Sequence, residues 1–139
     1  AIAAYDHDVI IFDCPPGNEH LERLALVAAA TVLVVTNAHP LAILGASRVV
    51  NELKLYQEKG RKAARRWAIV QSSLDKRRKL DKNLKKVLGD LYPKTPHLCV
   101  HQDIELANTT ANQELLMNYA PESRGAADLS SIATWCLNG

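Results

Sequence analysis

No apolar run in the 139 residues approaches the roughly 20 needed to cross a bilayer as a helix, so no transmembrane helix is expected. The first residues, Ala1-Ile2-Ala3-Ala4-Tyr5, lack the basic region, apolar core and cleavage site of a signal peptide. Cysteine is scarce. Cys14, Cys99 and Cys136 are odd in number, widely spaced and without a CxxC, which points to neither a zinc site nor a disulfide framework. Free thiols fit a cytoplasmic protein. The histidines His7, His20, His39, His97 and His101 do not pair at metal-ligand spacing on a clear helix face. Ser47, Ser72 and Ser73 lack a G-x-S-x-G elbow, and Cys14 has no visible base beside it, so it reads as a buried structural thiol. None of the six glycines takes part in GxxxxGK[ST], so the sequence shows no cradle of backbone N–H groups and lysine for a nucleotide phosphate.

What is present is an ordinary globular composition, 47% hydrophobic and 23% charged, but only 5% aromatic. Trp67 and Trp135 read as core residues rather than ligand-stacking ones. Net charge is only +2, yet the charges are segregated. From Arg48 to Lys86 there are fourteen Lys/Arg against four Asp/Glu, and the remainder of the chain is acidic. Such asymmetry suits either a polyanion partner or a solvated helical surface.

Four short apolar runs, Asp8–Asp13, Thr31–Thr36, Trp67–Ser72 and His97–His101, predict strands. They are near-continuous rather than alternating, the pattern of a parallel sheet buried on both faces. Helical spacing separates them. Glu19–Ala30 carries Leu21, Leu24, Ala25 and Ala28 on one stripe. Leu41–Glu58 follows Pro40, with Leu44, Val49 and Leu53 apolar and Gly60 as a stop. Lys79–Leu91 has Leu80, Leu84, Val87, Leu88 and Leu91. Ile104–Asn112 forms a short helix and Ser123–Leu137 the last, with Ala127, Ile132 and Trp135 among its inward candidates. The alternation predicts a single α/β domain over residues 1–139, with a parallel sheet of about four strands flanked by helices.

The stretch YDHDVIIFDCPPG stands out because its apolar run ends on an acid followed by two prolines and a glycine. In an open parallel sheet, ligands bind beyond the carboxyl ends of the strands. At such an end the carboxylate of Asp13 could hold magnesium, directly or through water, beside a phosphate. Pro15 and Pro16 would stiffen the turn, and Gly17 would let a backbone N–H approach an anion. Alternatively, Asp13 caps the next helix and the prolines shape a connection.

This segment resembles the Walker-B and switch-II region of the ParA/MinD family of deviant-Walker P-loop ATPases. The resemblance continues through LVAAATVLVVTNAHPLAILGASRVV, IVQSSLDKRRKLDKNLKKVL and VHQDIELANTTANQELLMNYAPESRGAADL, in order and over essentially the whole chain. His-Gln after the last strand is closer to plasmid ParA proteins than to MinD. Asp-x-Pro-Pro-Gly alone is shared with iron–sulfur cluster carriers, but the ordered set is more specific, and the absent CxxC argues against a carrier.

The resemblance implies roles by position. Asp13 matches the Walker-B acid that organises magnesium, and Gly17 the switch glycine that senses the γ-phosphate. His101, Gln102 and Asp103 match the loop bordering the nucleotide base, and Gln71 and Ser72 the strand end facing it. It also implies non-specific DNA binding through surface cations, with Arg61, Lys62, Arg65, Arg66, Lys76, Arg77, Arg78, Lys79, Lys82, Lys85 and Lys86 as candidates. ATP and Mg2+ are the implied cofactors. A homodimer or a ParA-like partner, and a ParB-type activator, are the implied proteins. A membrane-targeting helix like that of MinD has no counterpart after Trp135, which disfavours membrane binding.

The family's Walker A lysine and its switch-I aspartate precede Asp-x-Pro-Pro-Gly, and neither occurs here. The expectation is a C-terminal portion of a longer ATPase, with a catalytically dead truncated interaction module as the alternative and a related carrier or amidoligase as a third reading. The chain alone is expected to bind no cofactor and not to hydrolyse ATP, since it lacks most groups that stabilise the transition state. Exposed sheet edge and apolar surface are expected too, and with them dimerisation or rearranged covering helices.

Overall fold

A computed structural model of the chain describes residues 6–15 and 17–138. The strands β1 (Thr31–Thr36), β2 (Arg66–Leu74) and β3 (His97–His101) form a parallel sheet in the order β1-β2-β3. The helices are α1 (Glu19–Ala28), α2 (Pro40–Glu58), α3 (Lys79–Leu91), α4 (Ile104–Asn112), the single turn α5 (Leu116–Tyr119) and α6 (Arg124–Leu137). This is the expected α/β architecture, with three strands rather than about four.

The difference lies at Asp8–Asp13. Those residues join no strand of the sheet, and Val9, Ile10, Ile11 and Phe12 are 56%, 41%, 86% and 41% exposed. Apolar composition gives a segment a preference for burial, but a strand also needs a neighbour to pair its N–H and C=O groups. β1 pairs with β2 along one edge, and no described strand lies on its other edge. Cys14 is correspondingly exposed, not a buried structural thiol. Pro16 and residues 1–5 lie outside the described residues.

β2 is central, and its burial explains its sequence. Ala68, Ile69, Val70 and Gln71 are all buried, so the run has an apolar face toward each side. Ile69 and its register partner Val34 join Leu26 of α1, Val50 and Leu53 of α2, and Leu84 and Leu88 of α3 in one core. Each such side chain, fully buried, contributes about 1.5–3 kcal/mol of transfer free energy. On α6, which packs beside β3, Ala126 and Ile132 are buried.

Several helix faces turn differently from their predicted stripes. On α1 the buried residue is Leu26, while Leu21 and Leu24 are 45% and 53% exposed. Leu44 on α2 and Leu80 and Leu91 on α3 are exposed as well, as is Ala127 on α6. A three-stranded sheet offers too little area to cover every apolar position of its flanking helices.

Helix ends follow local chemistry. The Asn18 side chain accepts from Leu21 N at 3.1 Å to cap α1, and Ser123 Oγ accepts from Ala126 N at 3.2 Å to cap α6. Pro40 sits in the first turn of α2, where its missing N–H costs nothing. Salt bridges tie α1 to α2: Arg23 Nε to Glu52 at 2.8 Å and Arg48 Nη2 to Glu22 at 2.7 Å.

Candidate functional site

The carboxyl ends of β2 and β3 define the upper end of the sheet. β2 does not run there undisturbed. Its register against β3 shifts between Gln71 and Leu74, and Ser73 adopts φ 53°, a left-handed conformation costly for a residue with a Cβ. The irregularity re-aims the chain just before Asp75-Lys76-Arg77. Beyond it, Gln102 N donates to Leu74 O at 2.9 Å, so the two strand ends stay joined.

The Asp75 loop is closed by its own charges. The Asp75 carboxylate accepts from Arg77 N at 2.9 Å, Arg77 Nε at 3.0 Å and Arg77 Nη2 at 3.0 Å, with Arg78 Nε 3.7 Å away. These hydrogen bonds favour the ionised form and lower the Asp75 pKa from 3.8 to about 2.

At the end of β3, His101 is held from two sides. Asp128 Oδ2 accepts from the His101 backbone N at 2.8 Å and lies 2.8 Å from its Nδ1. Asp128 can only accept there, so Nδ1 carries the proton and Nε2 is left as an acceptor. Arg124 Nη2, 2.9 Å away, donates to that Nε2. The chain Asp128–His101–Arg124 therefore fixes a guanidinium of α6 at the upper end of β3.

A second carboxylate locks α4 to α6. Asp103 Oδ1 accepts from Glu105 N at 3.0 Å, the N-cap of α4, and Oδ2 accepts from Gly125 N at 2.6 Å. The two N–H donors hold the Asp103 carboxyl below its ordinary range, with Gly125 the stronger influence. The approach at Gly125 is close: a Cβ there would lie 3.1 Å from Leu106 Cγ and 3.2 Å from Asp103 Oδ2.

Between these walls lies a cavity of about 310 Å³ lined by Leu74, Asp75, Lys76, Arg77, His101, Gln102 and Arg124. Three cationic side chains face one carboxylate, and that carboxylate is already engaged by Arg77. The arrangement suits a ligand with hydrogen-bonding edges and negative charge.

Of the residues singled out in the sequence, His101, Gln102, Lys76 and Arg77 meet at this cavity. Asp103 stands behind it as the shared cap. Gln71 is buried below, its Nε2 donating to Asp81 O at 3.3 Å and Asp81 Oδ1 at 3.1 Å. Ser72 Oγ donates to Thr36 O at 3.2 Å. Asp13 and Gly17 are exposed and do not line the cavity; Gly17 has φ 85°, a conformation glycine adopts without strain. The roles of Arg124 and Asp128 were not anticipated. The only sequence signal for them was a Ser-Arg-Gly helix start with an acid one turn on, which reads as ordinary capping until β3 is placed beside it.

The basic stretch divides. Arg61, Lys62, Arg65 and Arg66 lie before or at the start of β2, and Lys76, Arg77, Arg78 and Lys79 lie after its end. The two groups stand at opposite ends of the nine-residue strand, about 27 Å apart. Lys82, Lys85 and Lys86 are exposed along α3.

A parallel α/β sheet with a polar cavity beyond its strand ends is the ligand-binding arrangement of open α/β nucleotide-binding proteins. Comparison with known proteins narrows that class. The AAA domain family matches residues 2–65. The sporulation initiation inhibitor protein Soj of Bacillus subtilis (strain 168) is 27% identical over 125 residues, covering 87% of this chain and 48% of Soj. The chain spans about half the length of that curated relative. Both matches support a relationship to the ParA/MinD-type P-loop ATPases. Among the described residues no helix is long and apolar enough to cross a membrane.

Proposed function

We propose that this chain forms the base-bordering and DNA-contacting part of a ParA-like partition ATPase. The observation that carries the reading is the cavity at the carboxyl ends of β2 and β3, where a parallel sheet binds its ligand. Gln102 and the backbone of the β3 end would face the edge of a nucleotide base. Arg124, held by His101, and Lys76 would supply positive charge nearby. Asp13 would hold magnesium and Gly17 would face the γ-phosphate.

The donor set fits that metal. Mg2+ keeps several waters and needs only one or two carboxylates, and Asp13 offers one exposed carboxylate. Among the described residues no three His, Cys, Asp or Glu side chains gather into a metal site. When bound, magnesium would neutralise charge on the nucleotide phosphates.

DNA would be held without sequence preference by the exposed cations of the Arg48–Lys86 region, in a nucleotide-dependent dimer reset by a ParB-type activator. A non-catalytic interaction module is the second reading, favoured by the exposed Val9–Phe12 segment.

The test is fluorescence anisotropy of a labelled non-specific DNA duplex titrated with the complete gene product, with and without Mg-ATP. Binding that needs Mg-ATP, is lost in Asp13→Ala and weakens steeply from low to physiological salt is expected. A flat salt response would remove the DNA reading. Binding indifferent to both Mg-ATP and Asp13→Ala would favour the interaction module.

A further inference from the structure

The opposite, lower end of the sheet holds a larger cavity of about 560 Å³, within the size range of small-molecule sites. Its walls come from the last turns of α2 and α3, the start of β2, the α3–β3 loop and α6. Lys54, Arg65, Arg66 and Lys94 line it, and no Asp or Glu does. None of the four takes part in an ion pair among the described residues.

Two of these cations are positioned by aromatic rings. Lys54 Nζ stands 4.8 Å from the centroid of Tyr92, and the Arg66 guanidinium lies 3.9 Å from that of Trp135. Arg66 also donates to the Trp135 carbonyl and, at 3.2 Å, to the Cys136 carbonyl at the end of α6. Its charge is thus partly used by the helix terminus. The side chains of Lys54, Arg65 and Lys94 donate to no acceptor among the described residues.

Helix ends work against a bound anion here, so magnitudes matter. The carboxyl ends of α2, α3 and α6 lie at this side, each equivalent to about half a negative charge. Together they offset about one and a half of the four formal positive charges and leave the cavity cationic. A carboxylate is satisfied by one guanidinium. Three free cations from three separate elements suit a group with more charge and more acceptor oxygens. Trp67 and Trp135, with Pro93 and Pro96, add a rigid apolar wall for a second, uncharged part of a ligand.

We propose that this lower cavity is a binding site for a phosphorylated small molecule, with its phosphate among Lys54, Arg65 and Lys94 and its remainder against Trp67 and Trp135. The site lies at the far end of β2 from the upper cavity and does not depend on the nucleotide reading above; it shares Lys54, Arg65 and Arg66 with the basic stretch of the DNA reading, and the experiment separates the two.

The chain carries its own reporter, because its two tryptophans both line this cavity. The experiment is a titration of tryptophan emission with inorganic pyrophosphate at constant ionic strength, with sodium chloride as the comparison. A saturable change is expected. The Lys54→Ala/Lys94→Ala pair should weaken it about tenfold or more, as the loss of charge-assisted hydrogen bonds implies. The Lys54→Arg/Lys94→Arg pair should largely restore it. Arg65→Ala, at an exposed position whose side chain has no hydrogen-bond partner among the described residues, repeats the test should the double variant fail to fold. No saturable change, an equal response to sodium chloride, or pyrophosphate binding untouched by the variants would overturn the proposal. So would an emission change produced by duplex DNA and not by pyrophosphate, which would make the surface a backbone contact instead.

Discussion

The two ends of the sheet use positive charge in opposite ways. At the upper end Arg77 is held by Asp75, and Arg124 is held by His101, which is held in turn by Asp128. At the lower end Lys54 and Arg66 lie over aromatic rings, and no carboxylate faces them. A cation with a fixed hydrogen-bond partner has a defined direction and supports the fold. Over its ring Lys54 keeps its hydrogen-bond donors for something else, whereas Arg66 also donates to the Trp135 and Cys136 carbonyls. The upper end therefore couples its site to stability, whereas the lower end leaves Lys54, Arg65 and Lys94 to a ligand.

The sharpest way to break this comparison is Asp128→Ala. It removes the acceptor of both the His101 backbone N–H and the ring Nδ1–H of His101, whose side chain is only 9% exposed. Leaving such donors unpaired costs about 1–3 kcal/mol each, so a loss of about 3 kcal/mol is expected by denaturant unfolding. A loss under about 1 kcal/mol would show that the relay does not support the fold.

Gly125→Ala is next. The added methyl would press on Leu106 and on the Asp103 carboxylate that joins α4 to α6, at an expected cost of about 1–3 kcal/mol in the same measurement. At the lower end Lys54→Ala should cost less, about 0.5–1 kcal/mol, the worth of an exposed cation–π contact. If Lys54→Ala proved as damaging as Asp128→Ala, the distinction between the two ends would fall.

The smallest effect concerns pH. Because the Asp75 pKa is lowered from 3.8 to about 2, the unfolded chain takes up this proton first as pH falls. Its contribution to stability is present above pH 3.8 and lost as pH approaches 2. An NMR titration of the Asp75 carboxyl should move back toward the ordinary value in Arg77→Ala. An unmoved midpoint would mean that Arg77 does not hold the loop.

Legibility in the sequence followed the range of the interaction. Thr31–Thr36, His97–His101, Lys79–Leu91 and Ile104–Asn112 have the limits expected from composition and spacing, because propensity and capping act over a few residues. β2 extends beyond its predicted Trp67–Ser72 to Leu74 through the irregularity at Ser73, which depends on β3 lying alongside. Asp8–Asp13 reads as a strand by composition and is none here, since pairing requires a neighbour. His101 and Gln102, which line the upper cavity, were singled out by the family resemblance. Their partners Arg124 and Asp128 were not, being 23 and 27 residues away from His101 in the chain.

The sequence by itself determined the alternation of strands and helices, most of their limits, the segregation of charge and the resemblance to ParA/MinD-type ATPases. Apolar period, helix caps and ordered motifs are local properties, and they survive in one dimension. Only the tertiary structure decided which cations have partners. It placed the length of β2 between two halves of one basic stretch, and it brought Lys54, Arg66, Lys94 and Trp135 together from four separate segments. The reason is physical: charge and hydrogen bonding act through space over a few ångströms, and the distance between two side chains is not written in their separation along the chain.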